Sequence, residues 1–331
     1  LISGAVTYAR LVADTTEAAR AKRIAEIVAD NLLKISFAEG KPWAYFPPTY
    51  YGEWIAKLSQ ASFIRLDNFM PNYGSDAGNA YLDLYDLTGN EKYLQASENI
   101  AKTFLKNQLA SGSWNLYVNP QTGEQTADVG NIAIPAYILS YFDRLRENYH
   151  MKGLDTATEK AFRWMMENPV KTWDWQGQFE DVGTHEAYKD LSRKEPCQLA
   201  IYLLKNKSND SAYVKLAITL IRFSEDQFVI WEKPRLLNQK SDSKGRRSTN
   251  WITPCAQEQY VYWVPTGPAA MRMVTAFWYA YEATHEKLYL AKAESIANAM
   301  TRVQNEHHGE YSTYFTKDRL GGEWLNCNVF S

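Results

Sequence analysis

Two stretches of the chain repeat each other. Residues 80–108 read AYLDLYDLTGNEKYLQASENIAKTFLKNQ, and residues 276–304 read AFWYAYEATHEKLYLAKAESIANAMTRVQ. They align without a gap, and each contains a turn, at Gly89 or at His285, between two segments whose apolar residues recur every three or four positions. That spacing is the period of an α-helix, so the pattern predicts a repeated helical hairpin. The identical pairs are Ala80/Ala276, Tyr85/Tyr281, Thr88/Thr284, Tyr93/Tyr289, Leu94/Leu290, Glu98/Glu294, Ile100/Ile296, Ala101/Ala297 and Gln108/Gln304.

Weaker copies of the hairpin occupy much of the remaining chain. Residues 131–149 with 156–168, 196–205 with 211–228, and 1–12 with 16–35 each show two helical segments around a short turn. No segment alternates apolar and polar residues long enough to indicate a dominant sheet. The sequence therefore predicts an all-α protein of five hairpins. Residues 324–331 resemble the start of another first helix, so a last hairpin would be incomplete.

The connections are long between hairpins and short within them. The long ones cover residues 38–75, 109–128, 168–190, 231–267 and 306–324. Because consecutive antiparallel helices alternate ends, all five are expected at the same end of the molecule. The repeat of about 60–75 residues exceeds that of common solenoids. We therefore predict a closed ring forming a single domain over residues 1–331, with the first helix of each hairpin inside.

Tryptophan is concentrated in these connections. About half of these rings are expected to pack the loops, and the rest suit a cleft in which flat apolar faces stack on sugar rings. We select Trp114, Trp173, Trp175 and Trp251 as candidate substrate contacts. Nine of the 11 tryptophans lie in or beside the long connections, namely Trp43, Trp54, Trp114, Trp173, Trp175, Trp231, Trp251, Trp263 and Trp324.

Carboxylates occur in the same connections. Hydrolysis of a glycosidic bond usually needs two carboxyl groups, one protonated and one ionised. Asp181, Glu180, Glu258 and Asp128 are the candidate catalytic residues. Glu180 and Asp181 are neighbours, so only one of them is expected to face a cavity, whereas helix capping would also explain Asp128.

Further side chains are candidates for holding the substrate. Arg272 stands where the matched repeat has Asp76, and this change of charge suits a grip on a carboxylate, although an ordinary ion pair would also explain it. Asp76 itself could cap a helix or bind substrate. His185 and Tyr260 complete the set. Helix N-termini at the loop end would favour an anionic sugar.

Composition excludes several other classes of function. The formal charge of −2 indicates no broad basic surface for a nucleic acid or an anionic membrane, and no apolar run is long enough to span a membrane. Three cysteines lie far apart, His307-His308 has no third ligand beside it, and Gly321-Gly322 lacks the setting of a phosphate loop. We expect neither a metal nor a cofactor.

The hairpin motif resembles that of the six-hairpin (α/α)6-toroid glycosidases and polysaccharide lyases. It reads Tyr-Leu-x-x-Ala-x-x-Ile-Ala, and a Gln followed by Gly-Ser-Trp or Gly-Glu-Tyr comes after it. Residues 175–182 (WQGQFEDV) and 324–327 (WLNC) are similar to bacterial members of that group. The resemblance implies an (α/α)6 toroid with a carbohydrate site at its mouth, where hydrolase members use aspartates.

The leading hypothesis is a glycoside hydrolase that acts on a uronic-acid-containing oligo- or polysaccharide. A polysaccharide lyase of the same fold is the main alternative, with Tyr188, His185, Tyr260 and Arg272 as possible equivalents of its catalytic residues. A sugar epimerase and a non-catalytic carbohydrate-binding scaffold are further alternatives; the scaffold would have no closely opposed carboxyl pair. The glycan role suggests an exported protein, either periplasmic or secreted.

Overall fold

The computed structural model describes residues 1–49, 69–125, 131–179, 186–232, 251–259, 264–310 and 312–315. These residues are mainly α-helical, and the one extended ladder among them pairs two short strands, β1 (Val229–Ile230) and β2 (Cys255–Ala256), in antiparallel orientation. The prediction of an all-α protein is confirmed. The chain divides into two compact units. The prediction of a single domain over residues 1–331 stays a prediction.

Unit 1 contains the described residues of 1–173 together with Gln178 and Phe179. It includes three of the predicted hairpins, a 3-10 turn before the second and a short α7 after the third. The hairpins are α1 (Ile2–Leu11) with α2 (Thr15–Ile35), α3 (Gly74–Thr88) with α4 (Glu91–Asn107), and α5 (Ala136–Tyr149) with α6 (Asp155–Glu167); the 3-10 turn is Pro71–Tyr73 and α7 is Pro169–Thr172.

Unit 2 contains residues 174–177 and the described residues from Glu186 onward. It has the remaining two predicted hairpins and the strands β1 and β2. The hairpins are α8 (Lys194–Asn206) with α9 (Ser211–Phe228), and α10 (Gly267–Thr284) with α11 (Lys287–Glu306). All five helical hairpins of the sequence prediction are therefore confirmed. Residues 324–331 lie outside the described residues.

Local signals explain where the helices begin and end. The side chains of Asp14, Asn90 and Asp210 accept hydrogen bonds from backbone N–H groups in the first turns of α2, α4 and α9. The matched helices α3 and α10 end at Gly89 and His285, whose φ angles are 67° and 57°. Both residues adopt the left-handed conformation that ends many helices, which is why the turns align in the sequence.

The first helices of successive hairpins pack on one another. In unit 1, α1 contacts α3, and α3 contacts α5; in unit 2, α8 contacts α10. The approach of α3 to α5 is close, because a Cβ atom added at Gly78 would overlap the ring of Tyr141. In α8 all but a few side chains are buried, as expected of a helix with neighbours on several sides. Within each unit, the first helices of successive hairpins are therefore neighbours.

Candidate functional site

In unit 1 the long connections pair with one another next to the N-termini of first helices. Isolated β-bridges join Phe69 to Val118, Val118 to Gln125, and Asn115 to Ile132. The helices α3 and α5 begin a few residues after Phe69 and Ile132. We call the segments 69–73, 113–125 and 131–135 the first loop end.

The first loop end is packed by aromatic rings. Trp114 is fully buried, and its ring centroid lies 5.6 Å from that of Phe104 and 6.2 Å from that of Phe142. Its indole nitrogen donates to the backbone oxygen of Phe104 at 2.9 Å. Gln178 accepts from the N–H of Ile134 at 2.9 Å. Trp114, a candidate substrate contact, is thus a core residue with no ring face open to a sugar in this structure.

Unit 2 has an equivalent arrangement of loops. Isolated bridges join Gln176 to Leu191, Ser192 to Gln259, Gln257 to Pro265, and Thr266 to Tyr314. The helices α8 and α10 begin directly beyond this series, at Lys194 and Gly267. We call the segments 174–177, 190–195, 255–259, 264–267 and 312–315 the second loop end. Within each unit, the long connections thus gather at the N-termini of first helices, as the sequence predicts.

The second loop end buries charged side chains. Arg193 is 3% exposed and Glu195 is 1% exposed, and they stand at the N-cap and in the first turn of α8. Lys194, between them, places its Nζ 3.8 Å from Oε1 of Glu195. Asp190 is also buried. Burial raises the pKa of the Glu195 carboxyl, against the opposing effect of Lys194, and burial likewise raises the pKa of Asp190.

Several buried polar atoms of this region make no hydrogen bond to the protein. Each lost hydrogen bond costs about 1–3 kcal/mol, and more where the group is charged. Such atoms in a native structure call for an explanation, and ligand binding is one. Within the described residues of unit 2 they include Trp175 Nε1, Asp190 Oδ1, Glu195 Oε2, Trp251 Nε1, Gln259 Oε1 and Thr266 Oγ1.

The structure brings Glu258 and Trp175 into this region. Glu258 is half-buried between two paired residues, and its N–H donates to the oxygen of Val264 at 3.3 Å. The backbone oxygen of Trp175 accepts a hydrogen bond from the N–H of Ser192 at 3.0 Å, and the indole ring is fully buried. Trp251 is almost fully buried as well. Both indoles are therefore enclosed, and neither N–H group makes a hydrogen bond to the protein.

The other described candidates lie outside the second loop end. Trp173 is half-buried at the end of α7, where its φ of 60° is left-handed. Arg272 is half-buried in the second turn of α10. Asp76 is exposed in the first turn of α3, in unit 1. Five further candidates lie outside the described residues: Asp128, Glu180, Asp181, His185 and Tyr260.

Sequence reasoning missed the buried charged residues Asp190, Arg193 and Glu195. It began the helix at Pro196, which left the preceding charged residues in a loop, whereas α8 begins at Lys194. A usable signal was present, because three consecutive charged residues, 193–195, directly precede an apolar helix. When such a helix is buried, the charged side chains in its first turn are buried with it.

The described residues contain neither a metal site nor a membrane-spanning helix. No three His, Cys, Asp or Glu side chains there come together in a way that could hold a metal ion. None of the helices described is long and apolar enough to cross a membrane.

Several solved structures with a similar fold are of sugar-processing enzymes. A family 76 glycoside hydrolase, an α-mannanase from Bacteroides thetaiotaomicron, has a TM-score of 0.61 at 13% identity, over 99% of this chain and 81% of that one. A cellobiose 2-epimerase from Spirochaeta thermophila has a TM-score of 0.66 at 10% identity, over 100% and 80%. An unsaturated glucuronyl hydrolase specific for heparin has a TM-score of 0.55 at 12% identity, over 91% and 71%.

No family model matches the sequence, and no curated protein does. At these identities the structural similarity shows the fold, which is that of the (α/α)6-toroid enzymes. The predicted fold and the resemblance to that group are therefore confirmed.

Proposed function

We propose that this protein is a carbohydrate-active enzyme, a glycoside hydrolase that acts on a uronic-acid-containing glycan at the second loop end. The observation that carries the proposal is the burial of Arg193, Glu195 and Asp190 at the start of α8. Buried charges reduce stability unless they are well paired, so such groups are candidates for function. The fold is shared with enzymes that act on sugars, which supports the same class.

The carboxyl groups suit the two roles that hydrolysis requires. Burial favours the protonated form of Glu195, which makes it a candidate general acid that gives its proton to the glycosidic oxygen. Glu258 lies half-buried beside the paired residue Gln259 and is the candidate base that takes a proton from water. Asp181 and Glu180 remain alternative acids from the sequence prediction.

A uronic acid is the proposed substrate because two basic side chains lie at the N-terminus of a helix in this region. Arg193 and Lys194 begin α8, where the backbone N–H groups of the helix end also attract anions. A sugar carboxylate would complement both. Such a glycan would be met outside the cytoplasm, so we also propose that the protein is exported.

The test is a panel of polysaccharides: polygalacturonate, alginate, heparin, xylan and α-mannan. A hydrolase releases new reducing ends without absorbance near 235 nm, whereas a lyase leaves a conjugated double bond that absorbs there. We expect reducing ends from at least one acidic polymer. Release from the neutral polymers alone would contradict the uronic-acid proposal, and absorbance at 235 nm would favour the lyase.

An epimerase is a second candidate, because an epimerase gives the TM-score of 0.66 and matches the whole chain. Epimerisation conserves mass and releases no new reducing end. Incubation of cellobiose with the protein, followed by chromatography of the products, distinguishes the two reactions. A new isomer of unchanged mass would favour the epimerase.

A further inference from the structure

Tyr188 is an exposed aromatic residue beside the second loop end. Its side chain is 54% exposed, and it stands two residues before Asp190. In the described part of the chain, the other exposed large hydrophobic residues lie in helices or at their ends. An exposed ring beside a cluster of buried charges can offer one of its faces to a ligand.

The backbone of Tyr188 is in an unfavourable conformation. Its φ is 62°, in the left-handed region that bulky residues rarely occupy. The side chain of Asp174 holds this geometry by accepting a hydrogen bond from the N–H of Tyr188 at 2.9 Å. The adjacent turn is closed by Lys189, which contacts Glu186 through both backbone and side chain. Glycine would adopt the same backbone without strain, so the turn alone does not explain a tyrosine.

We propose that Tyr188 is a stacking surface for a sugar residue at the rim of the second loop end, with Asp174 as its positioning residue. The face of a tyrosine ring matches the C–H face of a pyranose. The inference rests on the proposed function and adds an outer subsite to it. Because the ring lies at the rim of the second loop end, it would contact a sugar residue next to those bound near the start of α8.

The length dependence of binding tests this proposal. Affinity electrophoresis in the five polysaccharides of the panel first identifies one that retards the wild-type protein. Calorimetry then measures the Kd values of its two-residue and six-residue oligomers. The variants are Tyr188→Gly, which removes the ring and relieves the backbone, Tyr188→Phe, which keeps the ring, and Asp174→Ala, which removes the anchor. Tyr8→Ala is the control, since Tyr8 is 49% exposed on α1.

We expect Tyr188→Gly to weaken binding of the six-residue oligomer by roughly 3- to 10-fold and that of the two-residue oligomer by less. Tyr188→Phe should stay within about twofold of wild type. The affinity of Asp174→Ala for the six-residue oligomer should lie between those of the other two variants, because the ring is present but its loop has lost the hydrogen bond to Asp174. The melting temperature of Tyr188→Gly should stay close to that of wild type, because glycine relieves the left-handed backbone but also raises the entropy of the unfolded chain.

Two results would overturn the inference while leaving the proposed function intact. One is unchanged six-residue affinity in Tyr188→Gly while the wild type binds and cleaves the polymer. The other is a clear drop in melting temperature for Tyr188→Gly, with equal losses for both oligomers, which would indicate a structural role. If the wild type neither binds nor cleaves any polymer of the panel, the proposed function fails and the inference fails with it.

Discussion

The two loop ends share a construction but differ in what they bury. Each pairs long connections through isolated bridges and leads into the N-termini of two first helices. The first is filled by aromatic rings around Trp114, whose N–H has a partner. The second buries Arg193 and Glu195 and leaves polar atoms without a protein partner, Glu195 Oε2 among them.

This difference indicates that the first loop end stabilises the fold and that the second is the candidate catalytic site. A loop end packed by hydrophobic rings gains stability from burial. A loop end that desolvates charges loses stability, and such arrangements concentrate at functional sites. Unit 1 also has buried polar atoms without a hydrogen-bond partner, Asn72 Oδ1 in the first loop end and Trp43 Nε1 outside it. Among the residues described, however, the buried charged residues next to first-helix N-termini belong to the second loop end.

The largest expected effect is on catalysis. If Glu258 is the base, Glu258→Gln should lower kcat by about 10²- to 10⁴-fold on the polysaccharide that the enzyme cleaves, measured as reducing ends. Stability should change little, because Glu258 is only half-buried.

The matched control for that variant is Glu282→Gln, an exposed carboxylate on α10 of the same unit. It should retain wild-type kcat. Full activity in Glu258→Gln would remove Glu258 from the site. Full activity also in Glu195→Gln, Asp181→Asn and Glu180→Gln would remove the whole carboxylate assignment.

The next effect compares one tryptophan from each loop end. Trp114→Phe should destabilise the protein by about 2–3 kcal/mol, because it leaves a cavity and also deprives Phe104 of a hydrogen bond. Trp175→Phe should cost roughly 1 kcal/mol less, since its Nε1 has no protein partner to lose. Chemical denaturation measures both. Equal losses would mean that the two loop ends are held in the same way.

A smaller effect concerns the pH dependence of stability. Because burial raises the folded-state pKa of Glu195, its contribution is fully present below the unfolded pKa of about 4.3 and is lost as pH rises through the folded pKa. Glu195→Gln removes the ionisation. At pH 7 the variant should therefore be more stable than wild type, by about 1–3 kcal/mol.

Denaturation from pH 4 to pH 8 tests this, and the advantage of Glu195→Gln should disappear toward pH 4. An advantage that does not change with pH would show that the pKa of Glu195 is the same in the folded and unfolded states. Lower stability of the variant at pH 7 would show that Glu195 is a well-paired anion.

The smallest expected effect involves the matched positions Asp76 and Arg272. Arg272→Gln should raise KM for an acidic glycan by about 3- to 10-fold, if the guanidinium holds a carboxylate. Asp76→Asn, at the equivalent position of unit 1, removes a negative charge and should not raise KM. Initial-rate kinetics at low and high salt measure both KM values. The increase caused by Arg272→Gln should be smaller at high salt, because salt screens the attraction between the guanidinium and a carboxylate.

The sequence was sufficient for the hairpins because helix periodicity and turn residues are local properties. The repeat around Gly89 and His285 placed both copies correctly, and the long connections of each unit lie at first-helix N-termini. The burial of loop residues is not local. Trp114 and Glu258 looked equally available in the sequence, yet Trp114 is enclosed by rings from α4 and α5. Glu195 was missed because its burial depends on all the neighbours of α8.

A crystal structure of the Glu258→Gln variant with an oligosaccharide tests the central claim most directly. We predict that the sugar lies at the second loop end, within hydrogen-bonding distance of residue 258 and of the start of α8. Sugar density confined to the first loop end, or to a surface away from residue 258, would contradict the account.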